Sequence, residues 1–91
     1  MTKKVHFIGI GGKGMAYLAS YLHYLGWKVS GSDINQSKQI KQLEEEGVKV
    51  FIGQKENNLD HNPDLVIVSS AIPNDNKELI AARKKDCKIY T

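Results

Sequence analysis

Ninety-one residues with 41% hydrophobic and 25% charged content suffice for one hydrophobic core, so a single domain spanning residues 1–91 is expected. Thirteen Lys and Arg against ten Asp and Glu leave a formal charge of +3, and no stretch interleaves bases with aromatics, so nucleic acid is not an expected partner. No window approaches the roughly 18 to 20 apolar residues of a membrane-spanning helix, so a membrane is not one either.

The opening Met1-Thr2-Lys3-Lys4 runs straight into a strand-like segment instead of a signal peptide's apolar run, and the lone Cys87 has no partner for an internal disulfide. Both point to a cytoplasmic location, and the thiol reads as inert. Val5 to Gly9 reads as a short buried strand, and Met15, Leu18, Leu22 and Leu25 then recur at helical spacing until Gly26 stops them. Tyr17, Tyr21, Tyr24 and Trp27 fall on the outward side of that helix. Lys28 to Ser32 is extended again and ends at Asp33; Ile40 and Leu43 then line a second helix, capped by Asn35 or Ser37 and closed by Gly47.

Val48, Val50 and Ile52 mark a third strand. The polar stretch 53–64 reads as a loop near the ligand, anchored by Leu59 and holding at most one helical turn before Pro63. Leu65-Val66-Ile67-Val68 is the continuous apolar run of a strand covered on both faces. Residues 76–85 form a last helix whose negative end is balanced by Arg83-Lys84-Lys85 and Lys88, and Lys88-Ile89-Tyr90 is a fifth strand. Strands alternating with helices at this rhythm predict a Rossmann-like three-layer α/β domain, a five-stranded parallel sheet in order 3-2-1-4-5 with the ligand beyond its carboxyl edge.

At that edge Gly9-Ile10-Gly11-Gly12-Lys13-Gly14 matches G-x-G-x-x-G between a strand and a helix. In such a turn the first glycine allows the bend, the second lets backbone approach a phosphate and the third permits close helix–strand packing, while amides at the helix start, from Gly11 to Met15, face the anion. Lys13 is not a P-loop lysine, because Gly14 follows it. Asp33 stands where dinucleotide folds place an acceptor for ribose hydroxyls, and Ser69, Ser70, Ala71 and Ile72 end the fourth strand where the crevice opens. His6, His23 and His61 have no metal-ligand spacing, so no metal is expected, and no catalytic constellation is present. On these residues alone, a nucleotide-diphosphate module, the NAD-binding domain of a dehydrogenase and a nucleotide-sensing regulatory domain all stay open.

The wording of the turn narrows this. His6-Phe7-Ile8-Gly9-Ile10-Gly11-Gly12-Lys13-Gly14-Met15 resembles the opening of the Mur ligases, in particular the branch that adds L-alanine to UDP-N-acetylmuramate. The similarity continues through residues 25–33 and 66–72 to Asp75-Asn76. It implies three domains, of which this chain looks like the first alone: a UDP-binding domain, followed in the family by a central ATP-binding domain of the same polypeptide and a third that helps to admit the amino acid. It implies that the glycine turn cradles the diphosphate, that Ser32, Asp33 and Ile34 meet ribose and uracil, and that Ser69 to Ile72 border the nucleotide. No cofactor is implied for this domain; ATP and magnesium are implied for the full-length enzyme, which activates the muramoyl carboxylate as an acyl phosphate for attack by alanine. The isolated chain is expected to have no turnover. A sister ligase that attaches a recycled tripeptide has a similar first domain, although Gly11-Gly12 and Ser69-Ser70 favour the alanine branch. Two positions depart from the family: Gln54 follows Gly53 where histidine is frequent, and Lys77 follows Asp75-Asn76 where proline is usual. Gln54 can still hydrogen-bond uracil, but it neither stacks nor titrates as histidine does.

Overall fold

The computed structural model describes residues 3–59 and 61–91; Met1 and Thr2 of the opening and Asp60 of the polar loop lie outside the described residues. The elements run Lys4–Ile8 (β1), Met15–Tyr24 (α1), Lys28–Asp33 (β2), Lys38–Glu46 (α2), Lys49–Ile52 (β3), Leu65–Val68 (β4), Lys77–Lys84 (α3) and Lys88–Tyr90 (β5). A single 3-10 turn, Glu56–Leu59, fills the polar loop and buries Leu59 as its anchor. The five strands are parallel, in the order β3-β2-β1-β4-β5.

Local chemistry sets the boundaries. β1 stops at Ile8, one residue short of the sequence reading, because Gly9 adopts φ 85° and turns the chain out of the sheet. Ser37, not Asn35, caps α2 by accepting from the Ile40 N–H at 3.2 Å. Val48 sits outside β3 because its N–H closes α2, donating to the Leu43 carbonyl after Gly47 has turned left-handed. Among the described residues no helix is long and apolar enough to cross a membrane.

Strand alternation divides the core between two faces. Val5, Phe7 and Val29 pack with Ala19 of α1 and with Ile40 and Leu43 of α2. Ile8, Val66 and Val68 pack on the other face with Leu59 and with Leu79, Ala81 and Ala82 of α3. Right-handed crossovers require this split, since strand order runs outward from β1 in both directions. The chain therefore leaves the sheet to opposite sides after β1 and after β4, and the gap between those exits is where this topology admits a ligand.

Gly31, in the middle of β2, is an unforeseen constraint. Ile10, fully buried, folds back from the glycine turn onto the Gly31 backbone, and a Cβ there would stand 2.5 Å from Ile10 Cδ1 and 2.8 Å from its Cβ. The turn is thereby seated on the neighbouring strand. Gly31→Ala should cost about 1 to 3 kcal/mol through overpacking, measured by urea unfolding, and Ile10→Val in the same chain should restore part of that loss.

Candidate functional site

The glycine turn is built by hydrogen bonds that consume some of its own donors. The Gly9 and Ile10 amides both reach the Ser32 carbonyl at 2.9 Å, tying the turn to β2. The Gly11 N–H donates to Asp33 Oδ2 at 2.9 Å, the Gly12 N–H to the Gly9 carbonyl and the Met15 N–H to the Gly12 carbonyl, both at 3.0 Å. Of the amides expected to face an anion, those of Gly11, Gly12 and Met15 are thus already engaged. Among the described residues no acceptor meets the N–H groups of Lys13, Gly14, Ala16 and Tyr17, the outward amides of the first helical turn.

The glycines also divide their work differently from the motif reading. Gly14 has φ 82°, and a Cβ on it would meet nothing within 4 Å, so it is needed for backbone conformation and not for close packing. A Cβ at Gly11 would lie 2.9 Å from Asp33 Oδ2 and 3.0 Å from Ile40 Cδ1, so a side chain there displaces Asp33 as well as obstructing a ligand.

Beyond the carboxyl edge lies a cleft of about 460 Å³, lined by Gly9, Gly11, Gly12, Asp33, Ile34, Gln54, Ser69, Ala71 and Ile72, all anticipated, and by Pro73 and Asn76, which were not. Its size suits a small-molecule ligand. Lys13, Gly14 and Met15 stand outside that lining, and Lys13 and Gly14 are exposed. Ser70 is exposed and also outside it. Ser32, expected at the nucleoside, is wholly buried, and its hydroxyl donates inward to Glu78 at 2.7 Å. Asp33 Oδ1 accepts from the Ile34 N–H at 2.8 Å, so both carboxylate oxygens orient backbone while keeping lone pairs for a ligand hydroxyl. A larger recess of about 620 Å³ lies at the opposite edge, where Lys4, Leu65 and Lys88 begin their strands. Strand direction decides in favour of the first, because the outward amides and the switch point belong to the carboxyl edge.

Beneath the cleft, two charged-type side chains are wholly buried: His6 of β1 and Glu78 of α3, with Nε2 and Oε1 2.7 Å apart. Glu78 Oε1 also accepts from Ser32 Oγ at 2.7 Å, and Oε2 accepts from Asn58 Nδ2 at 2.7 Å and from the Lys55 N–H at 3.2 Å. A carboxylate accepting on both oxygens fixes the His6 proton of that contact on Nε2. His6 Nδ1 meets Ser30 Oγ at 2.8 Å, and Ser30 Oγ meets His61 Nε2 at 3.0 Å. The sequence reading missed Glu78 altogether. Two signals were available: a histidine between Val5 and Phe7 on a buried strand demands a partner, and Glu78 precedes Ala82 by one helical turn on the apolar face of α3. Burial pushes the His61 imidazole below its usual range, with His6 and Lys4 adding repulsion. Burial raises the Cys87 thiol, partly offset by Lys85, which agrees with an unreactive side chain.

Fold and site together define an α/β domain of Rossmann-like topology with a cleft at the carboxyl edge of its sheet. Residues 4–91 match the family model described as "Mur ligase family, catalytic domain", and the chain belongs to the Mur ligase family. It is 48% identical, over all 91 residues, to the UDP-N-acetylmuramate–L-alanine ligase of Clostridium acetobutylicum, covering 20% of that protein. Its structure superimposes on the UDP-N-acetylmuramate–alanine ligase of Thermotoga maritima with a TM-score of 0.91 at 36% identity, covering 96% of this chain and 20% of that one. It also superimposes on the UDP-N-acetylmuramate:L-alanyl-gamma-D-glutamyl-meso-diaminopimelate ligase from Neisseria meningitides, with a TM-score of 0.88 at 27% identity over 98% of this chain and 28% of that one. The chain therefore spans about a fifth of the length of the curated relatives it matches. The family match supports neither the dehydrogenase nor the sensor alternative. Lys77 occupies the first position of α3 after the Asn76 cap, where proline is favoured because that N–H needs no partner, so lysine leaves the cap intact.

Glu78→Ala should cost about 3 to 5 kcal/mol, because it strands His6, Ser32, Asn58 and the Lys55 amide without their acceptor. Urea denaturation measures this, and Glu78→Gln, which keeps one oxygen, should lose less. A histidine held below its ordinary value of 6.5 takes up a proton more readily when unfolded. The contribution of His61 to stability is therefore full above pH 6.5 and falls as pH drops through that value towards the folded one. Thermal melting between about pH 7 and about pH 5.5 should show a steeper loss in the native chain than in His61→Gln.

Proposed function

We propose that this chain binds the UDP moiety of UDP-N-acetylmuramate, as the substrate-binding domain of an ATP-dependent cytoplasmic ligase that adds L-alanine during peptidoglycan precursor synthesis. The observation that carries the reading is the set of outward amides at Lys13, Gly14, Ala16 and Tyr17, beside a cleft floored by the glycine turn. Such amides, reinforced by the α1 dipole, suit a diphosphate, with the Lys13 ammonium at hand. Asp33 then accepts from ribose hydroxyls, Ile34 and Ile72 supply apolar walls for the nucleoside, and Ser69 and Ala71 border it from the end of β4. The relatives' names, which specify UDP-N-acetylmuramate, support the ligand's identity.

On this reading the domain contributes proximity and orientation, and presents the muramoyl carboxylate to a central ATP-binding domain of the same polypeptide. ATP and magnesium belong to that part; among the described residues no group of three His, Cys, Asp or Glu side chains stands together to hold a metal, and no step of ATP chemistry is assigned to them. The tripeptide-adding ligase is a second reading favoured by the Neisseria superposition; its substrate side is the same nucleotide sugar.

Calorimetric titration of the 91-residue chain should show saturable binding of UDP-N-acetylmuramate and UDP in preference to NAD. Stronger binding of NAD, or none of the UDP ligands, would overturn the proposal. Asp33→Ala should weaken the UDP ligands by about 1 to 3 kcal/mol, with a melting curve run in parallel to register the lost acceptor for Gly11.

A further inference from the structure

The composition of α1 and its burial disagree. Its residues include no Asp, Glu, Lys or Arg, and its apolar and aromatic side chains run well beyond the stripe that faces the sheet, yet Ala19 alone is fully buried. A helix this apolar is normally covered on more than one side. Met15, Ala16 and Leu22 pack with Ala19 on the core. On the α2 side Ser20 Oγ donates to the Glu46 carboxylate at 2.7 Å, and His23 Nε2 meets the Glu46 backbone carbonyl at 2.8 Å. That leaves an outward ridge of Tyr17 and Tyr24, each 84% exposed, and Tyr21 at 58%, with Leu18 and Leu25 exposed beside it.

The five positions fall symmetrically about Tyr21, three and four residues to either side, so the pattern is unchanged when the helix is read backwards. At 3.6 residues per turn they form one stripe about 120° wide, centred on Tyr21. A second copy laid antiparallel on this face, with the twofold axis at Tyr21, sets Tyr21 on Tyr21 and brings Tyr17 and Leu18 of one copy to Tyr24 and Leu25 of the other. No side-chain charge on α1 is repeated against itself, and the opposed helix dipoles attract. Beside Tyr17 a recess of about 100 Å³ opens between α1 and α2, lined also by Ser20, Gln42 and Glu46, which gives Tyr24 of the copy a seat for its ring and acceptors for its hydroxyl. At their observed exposures the five side chains offer roughly 600 Å² per copy, so the pair buries about 1,200 Å², the lower bound for a specific stable interface.

We propose that the outward face of α1 is a homodimer interface, closed by a second copy of this chain packed antiparallel on the Tyr21 axis. Tyrosine suits such a face, because its rigid ring supplies contact area at small entropic cost and its hydroxyl tolerates water in the monomer. The contact uses side chains, so the outward amides of Lys13, Gly14, Ala16 and Tyr17 are not spent on it, and the dimer is independent of what the cleft binds. Because α1 starts at the carboxyl edge of the sheet and ends at the amino edge, the two clefts lie at opposite ends of the paired helices.

Sedimentation equilibrium of the 91-residue chain should show monomer and dimer in exchange, with a dissociation constant on the order of 10 μM for an interface of this size. Tyr21→Glu sets two carboxylates on the axis and should weaken the dimer by about a hundredfold. Tyr17→Glu and Tyr24→Lys, whose charges also suit their ends of the α1 dipole, should each weaken it by about tenfold. Combined in one chain they should recover most of that loss, because the new glutamate of each copy then faces the new lysine of the other. Within one helix the two positions stand about 10 Å apart, too far to pair. All three tyrosines are exposed, and native-like melting establishes that each variant is folded. A native chain that stays monomeric up to about 300 μM overturns the proposal and leaves the face to a different occupant, such as a further domain of a longer polypeptide. A dimer indifferent to Tyr21→Glu, or a double variant that associates no more tightly than the single ones, overturns it as well.

Discussion

The Glu78 carboxylate is the point on which the rest of the structure depends. It is wholly buried, and it accepts hydrogen bonds from β1 through His6, from β2 through Ser32 and from the polar loop through Lys55 and Asn58, while itself belonging to α3. Burying a carboxylate is unfavourable unless its lone pairs are filled, and here four donors fill them. The arrangement makes four segments mutually dependent, and all four end or begin beside the cleft. No buried side-chain polar atom among the described residues is left without a partner, as a low-dielectric network of this kind requires.

The same economy governs the glycine turn. A loop with several unpaired amides would be loosely held, yet a loop with none could not receive an anion. The structure resolves this by sequence position: the Gly9 to Gly12 amides fasten the turn to Ser32, Asp33 and Gly9, and those of Lys13, Gly14, Ala16 and Tyr17 stay outward. Asp33 has a double task, since the carboxylate that orients Gly11 also lines the cleft. Gly31 supports the turn from below by leaving room for Ile10. The turn is rigid because its interior donors are used, and receptive because its exterior ones are not.

What was legible in the sequence follows from how local each signal is. The apolar run Leu65 to Val68, the spacing of Ile40 and Leu43, and the glycine turn between a strand and a helix each declare themselves within a dozen residues, and together they fix the parallel order of the strands. The cleft's outline was legible for the same reason, since it is made of strand ends. What was not legible is pairing across the chain: His6 with Glu78, Gln54 with Asn76, Ile10 with Gly31. Each joins segments brought together only by the completed sheet. Ser32 shows this clearly: the resemblance implied a ligand contact for it, and alternation along β2 turns successive side chains to opposite faces and sends its hydroxyl to Glu78.

The departure at Gln54 gains its meaning from that hidden layer. A neutral amide has no fixed direction of its own, since its oxygen and nitrogen exchange by a simple flip. In this chain the flip is prohibited twice: Gln54 Oε1 accepts from Nδ2 of Asn76, whose Oδ1 caps α3, and Gln54 Nε2 donates to Ser32, whose own proton is committed to the buried carboxylate. The direction of the amide is therefore inherited from charge in the core: Glu78 orients Ser32, and Ser32 agrees with Asn76 about which end of Gln54 each receives. A histidine at this position would carry its directionality in a ring tautomer and change it with pH; the amide carries it in a hydrogen-bond chain that does not titrate at its exposed end. The core network and the cleft are consequently one structure, and the identity of the residue at position 54 is tied to a glutamate that touches no ligand.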